Sequence, residues 1–108
     1  MRGFQVIKDL VVDMKAFFAK CRAVKPCPIS NEMLPGMERL QTLEVRERFD
    51  ATARCILCDA CTTGWSSFWA NANFLGPAAI VAAHRFIFDS RDRGVTDRLE
   101  ILNERSGI

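Results

Sequence analysis

The chain has 108 residues, a length that fits one domain with one modest core, and residues 1–108 are predicted to form a single domain. Apolar residues make up 49% and charged residues 26%, which excludes a disordered chain, and the net charge of +2 provides no basic surface for nucleic acid. No apolar stretch approaches the roughly 20 residues of a membrane-spanning helix, and the N-terminal residues lack the apolar centre of a secretory signal.

The first predicted element is an amphipathic helix from Val6 to Val24. Its apolar residues recur at three- and four-residue steps, and charged side chains occupy the opposite face. The following segment, KPCPISNEMLPG, contains three prolines and a glycine, which a helix cannot accommodate. The helix is therefore predicted to end there, in the one loop-rich stretch of the chain.

Three more helices are predicted further along. A short one starts near Thr42, a candidate N-cap, and runs through LEVRERF. The next begins at Pro77 after Gly76, and its sequence, PAAIVAAHRFIFDS, is apolar on most sides, which indicates a buried helix. Thr96 is a candidate cap for a last short helix, DRLEILN. No segment alternates strictly over the length of a strand, so the expected fold class is all-α.

Three of the five cysteines lie close together, at Cys55, Cys58 and Cys61. An odd number of cysteines at this spacing is unlike a secreted disulfide framework and indicates reduced thiols. The spacing matches the first three cysteines of the bacterial ferredoxin motif, whose thiolates ligate the iron of a cubane cluster. Trp65 and Ser66 occupy the positions of the fourth cysteine and the proline of that motif, so the motif is one thiol short.

Two alternatives to a cluster remain open for this segment. Three thiolates also suit Zn²⁺ with a fourth ligand from elsewhere, but the single histidine, His84, fits a polar helix residue better than a ligand. The other alternative is a triplet that binds nothing. Cys21 and Cys27 fit small residues of a core. No nucleophile–base set supports independent catalysis.

Four segments together identify a family. They are VIKDLVVDMKAFF, CILCDACTT, SSFWANANFLGPAAIVAAHRFIFDSRD and DRLEIL, and with their connections they cover residues 4–102. In this order they closely resemble the C-terminal, helical ferredoxin half of the iron–sulfur subunit of succinate dehydrogenase and fumarate reductase (complex II). The resemblance implies a helical ferredoxin fold and an electron-transfer role, from flavoprotein toward quinone in the tricarboxylic acid cycle and respiratory chain, with no substrate chemistry in this subunit.

The resemblance also implies which cluster ligands this sequence carries. Cys55, Cys58 and Cys61 match three ligands of a [4Fe-4S] cluster, whose fourth ligand in the family belongs to a second cysteine motif that does not appear before the sequence ends at NERSGI. A [4Fe-4S] cluster here would thus need a fourth ligand from elsewhere. Trp65 stands where the family has a [3Fe-4S] ligand, so neither [3Fe-4S] nor the [2Fe-2S] of the preceding family domain is expected. Cys21 and Cys27 align with positions that are not ligands.

Predictions also follow for two further sets of residues. The family pattern Cys-Pro-Ser-aromatic-Trp-Trp reads WSSFWA here, so Ser67 and Trp69 are weak candidates for a quinone pocket, and burial of Trp69 as ordinary core is the favoured alternative. The second set is expected to form ion pairs and helix caps, or alternatively a solvated charged face. It consists of Arg85, Asp89, Arg91 and Asp92.

The partners implied by the resemblance are a flavoprotein subunit and membrane-anchor subunits, and a second chain that completes the ferredoxin domain is a further candidate. No nucleic-acid partner is expected. The implied location is the periphery of the bacterial inner membrane, on its cytoplasmic side, or of the mitochondrial inner membrane, on its matrix side. Two other functions stay open: a cluster-free structural or assembly subunit of complex II, and a degenerate fragment.

Overall fold

Helices dominate the fold, as the all-α expectation requires. The computed structural model describes residues 4–31 and 36–105 of the chain. Within these ranges the elements are β1 (Val6–Lys8), β2 (Val11–Val12), α1 (Lys15–Ala23), α2 (Leu43–Ala53), α3 (Ala60–Thr63), α4 (Ser66–Ala70), α5 (Pro77–Ile87) and α6 (Val95–Arg105). None of the helices in the described ranges combines the length and the apolar character needed to cross a membrane.

The prediction of a helix starting at Val6 is wrong for its first half. Strands β1 and β2 form an antiparallel hairpin in which Val6 pairs with Val12. Asp9 has a φ of 50°, a left-handed conformation that turns the chain and that a helix cannot contain. The apolar side chains of this segment are exposed, Leu10 by 84%, so no core contact supports a helix of β-branched residues here.

Helix α5 is the centre of the packing, because α1, α2, α3 and α6 all contact it. It starts at Pro77 after Gly76, whose φ of 90° favours glycine, and both features agree with the prediction. One core cluster consists of Val24, Leu75, Ala79 and Ala83. A second consists of Phe17, Cys21 and Ala78. The alanines let neighbouring helices approach α5 closely.

The predicted N-cap is correct for α2 and wrong for α6. Thr42 is the N-cap of α2, as expected, and its hydroxyl accepts a hydrogen bond from the Val45 amide at 3.4 Å. Thr96 is not a cap, because α6 already begins at Val95. The carboxylate of Asp92 instead accepts from the Gly94 amide at 2.8 Å and organises the turn that enters α6.

A fully buried guanidinium joins α6 to the segment that follows α1. Arg98 is 0% exposed and forms an ion pair with Asp92. It also donates to three backbone carbonyls, those of Val24 at 3.1 Å and of Lys25 and Cys27 at 2.9 Å each. The Arg98 guanidinium thus closes the long loop after α1 onto the last helix, and we call this set of contacts the Arg98 latch.

The expected ion pairs around the end of α5 are confirmed for Asp89, Arg91 and Asp92. Arg91 donates to both carboxylate oxygens of Asp89 at 3.0 and 2.9 Å, and Asp89 is 6% exposed. Arg85 differs from them: its guanidinium lies 4.8 Å from the ring of Phe86. The alternative of a solvated charged face is wrong for the two carboxylates, since both are buried.

Candidate metal centre

The three clustered cysteines occupy one exposed loop and the short helix after it. Cys55 follows the end of α2, Cys58 lies in the loop, and Cys61 is in α3. All three side chains are exposed and none is in a disulfide. Leu57 and Asp59 have φ values of 56° and 67°, so the backbone passes twice through the left-handed region within this loop.

The polar residues of α3 attach this loop to the scaffold. Thr62 is 1% exposed and lies so close to Gly76 that a β-carbon at Gly76 would stand 3.3 Å from its methyl group. The Thr63 hydroxyl donates to the Ala60 carbonyl at 2.9 Å. The Thr63 carbonyl accepts from the indole N–H of Trp69 at 2.9 Å. The C-terminal end of the cysteine segment is thereby fixed, whereas the Cys55–Asp59 part stays outside regular structure.

Asp59 is a buried carboxylate between two of the cysteines. It is 5% exposed, and its Oδ1 atom has no hydrogen-bond partner within the described part of the chain. Burial raises the pKa of Asp59, and a hydrogen bond with Thr62 offsets this only in part. Asp59 and Cys58 line a cavity of about 250 Å³ together with Met14 and neighbouring residues. The sequence analysis missed Asp59, whose acidic side chain within the cysteine motif was the available signal.

Cys21 lies in the second core cluster, as its expected core role requires, and is 5% exposed. Burial raises the pKa of the Cys21 thiol, and the charges of Asp59, Cys55 and Cys61 raise it further. The Cys21 thiol is therefore near enough to Cys55 and Cys61 for their charges to act on it. Cys27, in contrast, is exposed, so the expectation of a core position is wrong for Cys27. Its backbone carbonyl belongs to the Arg98 latch.

The donor chemistry of the loop suits an iron–sulfur cluster, but its thiols are not gathered into a ligand shell. Soft thiolates are the ligands that such clusters use, and Cys55, Cys58 and Cys61 are exposed and unbridged. Across residues 4–31 and 36–105, however, no three histidine, cysteine or acidic side chains come together closely enough to hold a metal ion. Binding would therefore require the Cys55–Asp59 part of the loop to change conformation.

His84 behaves as the polar helix residue that its context indicated. Its Nδ1 atom lies 3.2 Å from the hydroxyl of Thr52 on α2. Its ring stacks obliquely on Phe88, with the ring centroids 4.5 Å apart. The Thr52 contact joins α5 to α2 and the Phe88 contact lies at the C-terminal end of α5 itself, and neither directs His84 at the cysteines.

The two candidates for a quinone pocket lie on α4. Ser67 is exposed, and Trp69 is 41% exposed with its indole N–H bound to Thr63. The favoured alternative, that Trp69 is ordinary core, is wrong, because Phe68 is the buried aromatic residue of this helix. Trp65, which stands at the position of the fourth cysteine of the ferredoxin motif, is 51% exposed. The N-cap residue Trp65 and Trp69 of α4 thus both have exposed indoles, and the buried ring of Phe68 lies between them in sequence.

Comparison with known proteins identifies relatives of this chain. No protein-family profile matches it. A succinate dehydrogenase iron–sulfur subunit from Coxiella burnetii (strain RSA 493 / Nine Mile phase I) is 41% identical over 103 residues, which make up 94% of this chain and 44% of that protein. One from Paracoccus denitrificans is 39% identical over 100 residues, 92% of this chain and 39% of that protein.

A plant relative has a similar degree of identity. The mitochondrial succinate dehydrogenase (ubiquinone) iron–sulfur subunit 1 of Oryza sativa subsp. japonica is 42% identical over 102 residues, 92% of this chain and 36% of that protein. The chain thus spans 36–44% of the length of these curated relatives. Since the identity extends over nearly the whole chain, the chain is homologous to part of the succinate dehydrogenase iron–sulfur subunits of these organisms.

Proposed function

We propose that this chain is an iron–sulfur electron-transfer component of the succinate dehydrogenase type. The observation that carries the proposal is one exposed loop with three free thiols at ferredoxin spacing, Cys55, Cys58 and Cys61. Relatives with 39–42% identity that are named iron–sulfur subunits support it. A bound [4Fe-4S] cluster would supply reversible one-electron chemistry.

The residues of the chain have distinct parts in this proposal. Cys55, Cys58 and Cys61 would bind iron as thiolates, and each would lose its proton on binding. Thr62, wedged against Gly76, holds the C-terminal end of the ligand segment on the scaffold. Residues 1–108 act as one domain resembling the C-terminal half of the relatives.

Similarity to the same relatives supports the proposed partners and location. We propose a flavoprotein subunit as the electron donor and membrane-anchor subunits as the docking partners, with a second chain that completes the ferredoxin domain as a further partner. Exposed Ser67 and Trp69 on α4 are then available to contact quinone. The proposed location is the periphery of the bacterial inner membrane, on the cytoplasmic side, or of the mitochondrial inner membrane, on the matrix side.

A cluster-free structural or assembly subunit of complex II is the second candidate function. The observation in its favour is that the thiols do not converge in the described part of the chain. This candidate predicts colourless protein that still binds a flavoprotein or anchor partner. The two functions therefore differ in iron content rather than in partners.

The experiment that tests the proposal is anaerobic purification and reconstitution with ferrous iron and sulfide. We expect about four iron and four sulfide per chain and a reducible cubane signal in electron paramagnetic resonance. Cys58→Ser should abolish the signal, whereas Cys27→Ser, a change at another exposed cysteine, should preserve it. Wild-type protein without iron, or a Cys58→Ser variant with undiminished iron, would contradict the proposal.

A further inference from the structure

Arg85, in the last turn of α5, has a guanidinium for which the described part of the fold provides no acceptor. An ion pair or a helix cap was expected of it, but across residues 4–31 and 36–105 Arg85 forms neither a hydrogen bond nor an ion pair. Its Nε atom is buried without a partner, and its guanidinium lies 4.8 Å from the ring of Phe86. Since a buried donor without an acceptor costs free energy, this guanidinium is suited to an acceptor from outside the chain.

Arg85 lines a cleft of about 150 Å³ between α2 and α5, and we call it the Arg85 cleft. Thr52 on α2, Ala82 on α5 and Leu57 from the cysteine loop contribute to its walls. Arg85 is the only charged residue among the described residues that line the cleft, and most of the others are apolar. The hydroxyl of Thr52 already donates to the Phe49 carbonyl at 2.9 Å. The described walls thus combine one positive charge with apolar surface and contain no carboxylate that would compete for that charge.

We infer that the Arg85 cleft binds a small organic carboxylate through the Arg85 guanidinium. A guanidinium presents its N–H donors in a planar fork that matches the two oxygen atoms of a carboxylate. Because Nε is buried, the carboxylate pairs end-on with the two terminal nitrogens, and the hydrocarbon part of the ligand packs against the apolar walls. This site goes beyond the proposed electron-transfer function and needs no bound iron.

The volume and the walls of the cleft determine the class of ligand. Sites for drug-sized ligands and cofactors have about 300–1,000 Å³, so a cleft of about 150 Å³ fits a ligand of only a few heavy atoms. The side chains of Leu57 and Ala82 favour a short aliphatic chain, because apolar surface is then removed from water on both sides. Inorganic phosphate has no apolar part, and its second charge would lack a partner at a single guanidinium. We therefore expect butyrate to bind more tightly than acetate, and acetate more tightly than phosphate.

The test is a titration of the ¹⁵N-labelled full-length protein, without iron, followed by two-dimensional nuclear magnetic resonance. Sodium acetate, propionate, butyrate and phosphate are added separately at constant ionic strength. In wild type, the amide signals of Thr52, Leu57 and Ala82 should shift together with each carboxylate. Each added methylene should tighten binding by about two- to fourfold, because it buries further apolar surface. Phosphate that binds as tightly as butyrate, or the absence of any shift with butyrate, would overturn the inference.

Two variants with the same change of charge separate the cleft from general electrostatic attraction. Arg85→Gln should weaken butyrate binding at least about tenfold, because it removes charge-assisted hydrogen bonds. Arg48→Gln removes an exposed arginine of α2 that does not line the cleft, and it should leave butyrate binding within about twofold of wild type. Equal weakening in both variants would overturn the inference. If Arg85→Gln fails to fold, the wild-type titration decides, since butyrate-induced shifts confined to residues outside the cleft would also overturn it.

Discussion

Replacing Arg98 with methionine is predicted to remove a large share of the stability of this domain. The ion pair between Arg98 and Asp92 is inaccessible, since the side chains are 0% and 1% exposed. Arg98→Met keeps a long apolar side chain but leaves the Asp92 carboxylate buried without its counter-charge. Removing one partner of a buried ion pair costs about 3–5 kcal/mol.

The backbone contacts of Arg98 add to this cost. Three backbone carbonyls, those of Val24, Lys25 and Cys27, would also lose their donor. Where water cannot replace it, the loss of a typical hydrogen bond lowers the free energy of unfolding by about 1 kcal/mol. We therefore expect a loss of at least about 3 kcal/mol in the free energy of unfolding. Because domains of this size have about 5–15 kcal/mol in total, the variant should be marginal.

The assay is urea unfolding followed by far-ultraviolet circular dichroism, with Asp97→Asn as the matched control. Asp97 pairs with Lys25 at 3.0 Å, but both side chains are about half exposed, and such pairs contribute about 0–1 kcal/mol. If the loss of stability in Arg98→Met comes from the buried, unpaired charge of Asp92, adding Asp92→Asn should restore part of the free energy of unfolding. Equal stabilities for Arg98→Met and Asp97→Asn, or no recovery in the double variant, would refute this reasoning.

Three other predictions use the same unfolding assay. Gly76→Ala should cost about 1–3 kcal/mol, because φ is 90° and the new β-carbon meets Thr62 at 3.3 Å, and a loss below about 0.5 kcal/mol would contradict this. Thr42→Ala should cost about 0.5–1 kcal/mol, the low end for an exposed N-cap, and an unchanged midpoint would show that the cap contributes nothing. Burial alone would raise the pKa of Asp92, but hydrogen bonds, first of all from Arg98, outweigh it and lower the pKa. Stability that is present above the unfolded carboxyl pKa of about 3.9 should therefore be lost as pH falls below it, and Asp92→Asn should flatten this acid dependence of the free energy of unfolding.

Local backbone chemistry explains which elements could be predicted from sequence. Thr42 caps α2, and the Gly76–Pro77 pair starts α5, because a capping hydroxyl, a left-handed glycine and a proline at the first helical position act on their own neighbours. These signals need no knowledge of the rest of the fold. The confirmed all-α class depends on the same kind of signal, repeated along the chain.

The segment from Val6 to Val12 shows where periodicity alone is insufficient. Its apolar residues fit the helical spacing, but a short run of β-branched residues fits a strand equally well. The left-handed turn at Asp9 and the absence of core contacts for the exposed side chains favour the hairpin. Neither feature can be derived from the spacing, because both depend on what the segment packs against.

The candidate site was predictable in composition but not in arrangement. The spacing of Cys55, Cys58 and Cys61 identified the thiols, yet the spacing does not determine where other donors fall. Asp59 is buried because the loop turns at Leu57 and again at Asp59 itself, and such turns have no strong signal at non-glycine residues. The burial of Cys21 arises from the packing of α1 on α5, which a motif search cannot detect.

The Arg98 latch holds the end of the helix that carries the buried Cys21. Arg98 binds the carbonyl of Val24, the C-cap of α1, from a position 74 residues further along the chain. Cys21 and Val24 are three residues apart and therefore adjacent on the helix surface. The contacts that hold Val24 in place also restrict the position of the Cys21 thiol over α5. Arg98, near the C-terminal end of the chain, thus helps to fix the core cluster around Cys21, because that cluster depends on where α1 lies.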